Sequence, residues 1–436
     1  MSSPTFRELP PASPESGARK QAGIEFILCT LLLDILGIGL IIPVLPDLVK
    51  MLAGKDNSDS SLWFGSLITA YATMQFLFAP LIGALSDRFG RRPVLLTSIA
   101  VLTFDFLLTA FAPNLWWLLV ARILSGMTAA NITAASAYIA DISDETTRVR
   151  NFGLAGAMLG LGFVLGPLLG GFAGSYSSRL PFLLAALLSA INFLYGWLVL
   201  PESLPAHARH WPRRSSFFPG TSLRSLRVEP VVFGLAIAYF CVSFGEMTLR
   251  ATWILFTEER FHWDAFQNGL ALSLVGLMSA FVQAVLLRRL NNRFGERAVL
   301  LTGLFISMLA YIGYALATRS EMMFAIIMLS SLGGISGPTA QSIIAKRVDP
   351  KTQGQVQGAL SSIASLTAIL APPLGTGTFW YFSHAPQSLY FPGIPFVIAA
   401  IFAFLALLIT AWVTQSISTF HQVTDPIRYS SPAGKI

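Results

Sequence analysis

Twelve stretches of roughly twenty mostly apolar residues divide this chain, and each is long enough to cross a lipid bilayer as a helix. They lie at about 24–46, 61–82, 94–113, 115–139, 152–174, 180–200, 231–254, 266–287, 298–317, 321–344, 355–382 and 393–414. Inside a bilayer every backbone N–H and C=O must be paired within the protein, which leaves helices or a closed barrel. The runs do not alternate apolar and polar with a period of two, which disfavours a barrel. Composition agrees: 54% of residues are hydrophobic and 12% are charged, about half the charge of a soluble domain. The expected fold class is an all-α integral membrane protein with twelve transmembrane helices.

The basic residues orient it. With the loops numbered in order, the N-terminus, the even loops and the C-terminus hold 22 of the 29 Lys and Arg. The odd loops hold Lys50, Lys55, Arg179, Arg260 and Arg319, and Arg122 and Arg250 fall within spans. By the positive-inside rule both termini are expected in the cytoplasm. The net charge of +7 then reflects topology, and no nucleic-acid partner is implied. The first run follows a tail with Arg19 and Lys20 and has no small-residue cleavage site after it, so it reads as a retained helix. Cys29 and Cys241 sit in separate spans with no metal-ligand spacing, so neither a metal nor a disulfide framework is expected. No cofactor motif or enzymatic nucleophile–base pair stands out.

The chain reads as two related halves. "GALSDRFGRRPVLL" (Gly83–Leu96) matches "RRLNNRFGERAVLL" (Arg288–Leu301) at an offset of 205. At the same offset "GPLLG" (Gly166–Gly170) falls on "APPLG" (Ala371–Gly375). The expected organisation is a tail (1–23), a six-helix bundle (24–200), a basic Pro- and Ser-containing linker (201–230), a second six-helix bundle (231–414) and a C-terminal tail (415–436). Parallel repeats of this kind, with a site between them at mid-membrane, build one large class of secondary transporters.

Isolated charges mark the candidate site. Asp34 in "LLLDILGIGLIIP", Asp105 in "TFDFLL" and Arg122 in "LLVARILSG" interrupt apolar runs on spans 1, 3 and 4. A charge at the bilayer centre costs about 2.5–3.5 kcal/mol on insertion scales, so such groups face partners or water, and a proton relay or a static ion pair both fit. Tyr71, Gln75, Asn131 and Gln283 are further polar span residues suited to contacting a solute. On span 7, Glu246 and Arg250 stand four apart on one helix face. Glu246 is expected either to share the charge work or simply to pair with Arg250.

"GALSDRFGRRPVLL" and "GLGFVLGPLLGG" (Gly160–Gly171) carry a family resemblance. The chain resembles a major facilitator superfamily transporter, and its N-terminal half most resembles the bacterial tetracycline/proton antiporters. "LDILGIGLIIPVLP", "YIADISDETTRVRNFG" and "WILFTEERFHW" (Trp253–Trp263) carry the likeness across nearly the full chain. The family's loop pattern is met at Gly83, Leu85, Asp87, Arg88, Gly90, Arg91 and Arg92. Gly83 is expected to allow close helix approach, and the arginines to pair with acids across the interface between the halves, with Asp141 among the switch residues. Gly162, Gly166 and Gly170 share a helix face and Pro167 bends it; the resemblance makes this an antiporter motif, expected to seal when the pump faces outward.

The resemblance implies two pseudo-symmetric six-helix bundles and a monomeric, proton-coupled exporter of tetracycline-like drugs in a bacterial inner membrane. An exporter or symporter of a metabolite or sugar is the alternative. It implies proton coupling and drug recognition at Asp34 and Asp105, and drug contact at Gln75 and Gln283. The chain departs from the family pattern in its second half. Ser279 stands where relatives carry a span 8 histidine, and apolar Ile306 stands near the position at which they carry a span 9 aspartate.

Overall fold

The computed structural model describes residues 14–54, 59–129, 131–205, 207, 209, 229–349 and 352–424. All twelve expected runs are helices long and apolar enough to cross a membrane, and no strand occurs among the described residues. Spans 1, 2 and 3 are Pro14–Ile41, Ser60–Phe89 and Arg91–Ala110; spans 5 and 6 are Arg148–Gly174 and Leu180–Val199. Spans 7, 9, 11 and 12 are Pro230–Phe261, Glu296–Leu316, Gln353–Ser383 and Ile394–Thr424. Span 4 comes in two pieces, Leu115–Thr128 and Asn131–Ile142, as does span 10, Ser320–Gly333 and Ser336–Arg347. Span 8 runs through Ala265–Phe281, one π turn at Val282–Leu286, and Leu287–Phe294. Most of the expected tails and linker lies outside the described residues.

Local chemistry accounts for the boundaries that differ from the expected ones. Span 1 stops at Ile41 because Pro43 lacks the N–H that a continuing helix needs. A separate short helix, Leu45–Ala53, follows, with Pro46 in its first turn. Span 2 continues past residue 82 to Phe89, so the connection to span 3 is the single residue Gly90, at φ 104° and ψ 161°. That positive φ suits glycine. Its counterpart at the offset of 205, Gly295, adopts φ 79° and ψ 153° between spans 8 and 9. The first pieces of spans 4 and 10 end at the same offset, at Thr128 and Gly333. The duplication therefore reaches the backbone.

The packing is lopsided along the bundle. At the end away from the termini one apolar core joins both halves, running from Leu36, Leu40, Val44 and Leu48 to Trp253, Phe256 and Trp263. At the end bearing the termini the cores are separate. Phe26, Leu95 and Tyr138 belong to the first half, and Val232, Leu300 and Ile344 to the second. A side chain added at Gly83, Gly153, Gly156, Gly160 or Gly354 would meet nothing within 4 Å. The halves are thus closed over one end and parted by a cleft at the other. Gly83, expected to bring helices together, faces open space in this arrangement.

Candidate functional site

The three isolated charges of the first half converge. Span 3 places Asp105 (0% exposed) opposite Arg122 of span 4, whose Nη2 donates to Asp105 Oδ2 at 3.2 Å and to Thr109 Oγ1 at 3.3 Å. Asp34 on span 1 has a different partner. Its Oδ2 accepts from Asn131 Nδ2 at 3.2 Å, and Asn131 belongs to the second piece of span 4. Tyr71 of span 2 lies within the field of Asp34, Asp105 and Arg122. Arg122 Nε and Asn131 Oδ1 are buried with no hydrogen-bond partner among the described residues.

This arrangement divides the acids by role. Asp105 has a cation, so its charge is compensated within the protein. Among the described residues Asp34 has only a neutral amide as hydrogen-bond partner, and an ionised carboxylate there would be buried without a paired cation. Asp34 is the group that a proton or a cationic solute would neutralise.

The remaining polar span residues stand apart. Gln75 is one helical turn beyond Tyr71 and half-buried, and Gln283 is exposed on the π turn of span 8. Glu246 pairs with Arg250 at 2.5 Å, and both side chains are about half exposed. Among the described residues no hydrogen bond or ion pair ties these three to Asp34 or Asp105. A charge pair at mid-span avoids lipid, which points Glu246 and Arg250 toward the cleft.

At the terminus-bearing end, the Gly83–Arg92 turn forms a clamp inside the first half. Buried Arg91 pairs with Asp87 at 2.6 Å and with Asp141 at 3.1 Å, and donates to Ser86 Oγ at 2.9 Å. Arg92 donates to the Trp197 carbonyl at 2.8 Å, and Arg88 lies over the Phe89 ring. The expected pairing of Arg91 across the halves is therefore replaced by pairing within one half, because the cleft holds the second half away. Sequence reasoning missed Glu202. Its carboxylate accepts from the Arg91 N–H at 2.8 Å and fills the space where a Gly90 side chain would sit. In the sequence Glu202 falls at the start of the expected linker (201–230); an acid directly after an apolar run is the available signal. The C-half mirrors the clamp with its charges exchanged. Glu296 and Lys346, the counterparts of Arg91 and Asp141, pair at 3.0 Å.

Span 5 presents its small residues to two neighbours. Gly162, Gly166 and Gly170 lie against Leu32, Leu36, Gly39 and Leu40 of span 1. A Cβ at Gly166 would sit 2.7 Å from the Gly39 Cα, closer than atoms can pack. Pro167 and Gly171 meet Gly269 of span 8 in the other half, and Ser273 Oγ donates to the Val164 carbonyl at 2.7 Å. The face expected to seal in the outward-facing pump is already sealed here, with the end away from the termini closed.

Comparison with known proteins places this geometry. The family model described as Major Facilitator Superfamily matches residues 27–286 and 235–426. The class C tetracycline resistance protein of Escherichia coli is 42% identical over 353 residues, covering 81% of this chain and 88% of that protein. The class H protein of Pasteurella multocida is 32% identical over 396 residues, covering 91% and 97%. Among solved structures, a bacterial homolog of the human lysosomal transporter Spinster, inward-facing and occupied, superposes with a TM-score of 0.74 at 17% identity, over 94% of this chain and 99% of that one. The duplicated halves, the Gly83–Arg92 turn and these matches agree: the chain belongs to the Major Facilitator Superfamily, in the branch that holds the tetracycline resistance proteins.

Proposed function

We propose that the protein is a proton-coupled exporter of tetracycline-like drugs, working by alternating access between its two six-helix halves, 24–200 and 231–414. The observation that carries this is Asp34, a buried carboxylate with a neutral amide partner beside a compensated Asp105–Arg122 pair. Such a group binds a proton or a cationic solute in turn, which is what exchange requires. The 42% identity to a tetracycline resistance protein supplies the drug class. With both termini in the cytoplasm of a bacterial inner membrane, the cleft faces inward and the closed end faces out. Drug enters the cleft, and Tyr71, Gln75, Asn131 and Gln283 supply polar contacts in a mostly apolar cavity. A proton from outside displaces it from Asp34. Each charge moving down the membrane potential releases about 2.3 kcal/mol per 100 mV. The clamp at Asp87, Arg88, Arg91, Arg92 and Asp141 and the span 5 face then rearrange as the halves rock, with Glu246 lining the cleft from the second half.

The test is tetracycline accumulation in cells lacking other pumps, with and without a proton uncoupler. The full chain keeps accumulation low, and the uncoupler abolishes this. Asp34→Asn reaches the membrane in normal amount and exports no drug at any pH. Normal pumping by that variant removes Asp34 from the mechanism. A chain that moves a sugar or metabolite and leaves tetracycline untouched overturns the drug assignment.

A further inference from the structure

The closed end is covered by the short helix Leu45–Ala53, a segment with no role in the proposed exchange at Asp34. Its Lys50 forms an ion pair with Glu258 near the end of span 7, 208 residues along and in the other half. Asp47, one turn earlier on the same helix, lies close enough for its carboxyl to act on that of Glu258. The Glu258 side chain is 9% exposed and that of Lys50 34%. Beside them lies a cavity of about 400 Å³ lined by Lys50, Ser60, Ser61, Glu259, Ser383 and His384. It is built from both halves and sits under the outer face.

A carboxylate only accepts hydrogen bonds, so two carboxyl groups this close bond only by sharing one proton. Lys50 offsets one negative charge of the pair, and the shared proton offsets the other. Loss of that proton leaves two carboxylates in contact with one cation, which closely spaced acids resist. Opening the end hydrates both. We propose that Asp47, Glu258 and Lys50 form a one-proton latch between the halves, closed when a proton from outside binds the carboxyl pair and released when that proton leaves.

The surroundings favour the protonated pair. Burial holds Asp47 above the usual carboxylate range; Lys50 and Glu258 work against this, and Asp264 at the start of span 8 adds to it. Other charged or titratable groups at this end are Asp59 at the start of span 2, Tyr176 and Arg179 between spans 5 and 6, Glu259, Arg260 and His262 after Glu258, Arg319 and Glu321 at the start of span 10, and His384 and Tyr390 between spans 11 and 12. Glu259 accepts from Tyr390 at 3.0 Å. Lys50 is the one cation that acts on Asp47 among the described residues. Because the closed form binds the proton more tightly than the hydrated open form, closure is favoured at low outside pH and lost as that pH rises. In the proposed cycle, the proton arriving after drug release would shut the door behind it.

This latch rests on the orientation and exporter reading above, and the experiment separates the two. In intact cells, Ser61→Cys is labelled from outside with a membrane-impermeant maleimide. The rate is divided by that of exposed Met51→Cys, which cancels the thiol's own titration, after subtracting labelling of Cys29 and Cys241 in the parent. Ser61 is 4% exposed and Met51 49%. The ratio is expected to rise about tenfold between about pH 5.5 and about pH 7.5, as one linked proton allows. In Glu258→Gln, whose amide donates to Asp47 permanently, the ratio stays low and flat. Asp47→Asn carries the same expectation should Glu258→Gln fail to reach the membrane. A ratio flat with pH in the parent, or an unchanged slope in the variant, overturns the latch. Tetracycline accumulation is measured in the same cells. Export with a flat ratio sinks the latch alone, whereas a pH-dependent ratio without export upholds the latch and sinks the exporter reading.

Discussion

The first half carries Asp105 in the middle of span 3 and Arg122 in span 4, paired and buried. At an offset of 205, the second half carries Ala310 and Ile327, both fully buried in the apolar core. Thr109, which accepts from Arg122, becomes Tyr314, whose ring packs edge-on against Trp253 at 5.3 Å. Asn131 becomes Ser336, each in the second piece of its span. One backbone plan thus supports a buried ion pair between spans 3 and 4 in one copy and hydrocarbon at the matching positions of the other. The comparison teaches that the fold does not require the ion pair. A buried pair is a poor source of stability compared with packed apolar side chains, so folding gains little from keeping it in one half.

The largest test of this comparison is to remove the charges singly and then together. Arg122→Ile alone leaves Asp105 ionised and buried without a cation, and Asp105→Ala alone leaves the guanidinium stranded; each costs about 3–5 kcal/mol. The double variant, which copies the apolar pair of the second half, is expected to regain stability to within about 1 kcal/mol of the parent or exceed it. It regains no drug export. Thermal unfolding in detergent and tetracycline accumulation read the two outcomes. A double variant as unstable as the singles shows that the first half has come to depend on its charges for folding.

How much of this was legible in the sequence follows from the range of each signal. The twelve spans depend on local hydropathy, and all twelve are helices. The convergence of Asp34, Asp105 and Arg122 was readable because isolated charges in apolar runs have few places to go. Their division into a compensated pair and an amide-bonded acid was not, since it depends on the rotation of spans 1 and 4. The first pieces of spans 4 and 10 end within "GMTAANIT" and "SLGGISGP", where small residues serve equally for tight packing. The contact of Lys50 with Glu258 joins residues 208 apart and leaves no local trace. The spacing of the span 5 glycines puts them on one face, which meets span 1, but the sequence does not say in which state that face is shut.

A smaller effect is expected at that face. Gly166 corresponds to Ala371, so the second half already carries the Cβ that the first excludes. Gly166→Ala places a methyl against the Gly39 backbone, which has no side chain to move aside. Overpacking of this kind costs about 1–3 kcal/mol, and drug export falls with it. Ala371→Gly costs about 1 kcal/mol through helix propensity alone and leaves export near normal. Equal effects from the two substitutions, in unfolding and in accumulation assays, would mean that spans 5 and 11 seal alike.

The finest distinction concerns the exchanged charges at Arg91–Asp141 and Glu296–Lys346. Arg91 has an 11% exposed side chain and three acceptors, Ser86, Asp87 and Asp141. Arg91→Gln therefore forfeits charge-assisted bonds worth about 1.5–3 kcal/mol. Lys346 is 67% exposed, and Glu296→Gln is expected to cost about 0–1 kcal/mol. Reversing each pair separates charge order from mere pairing. Glu296→Arg with Lys346→Asp restores an ion pair among neighbours that do not oppose it, because the counterparts of Asp87 and Glu202 there are Asn292 and Leu407. Arg91→Glu with Asp141→Lys sets a new carboxylate beside Asp87 and beside Glu202, which already accepts from the backbone at position 91. That reversal is expected to stay destabilised while the reversal in the second half is silent. The order of charges in the first half is then fixed by two further acids, one at the end of span 2 and one just past span 6. Recovery of both reversals would reduce the clamp to a simple ion pair.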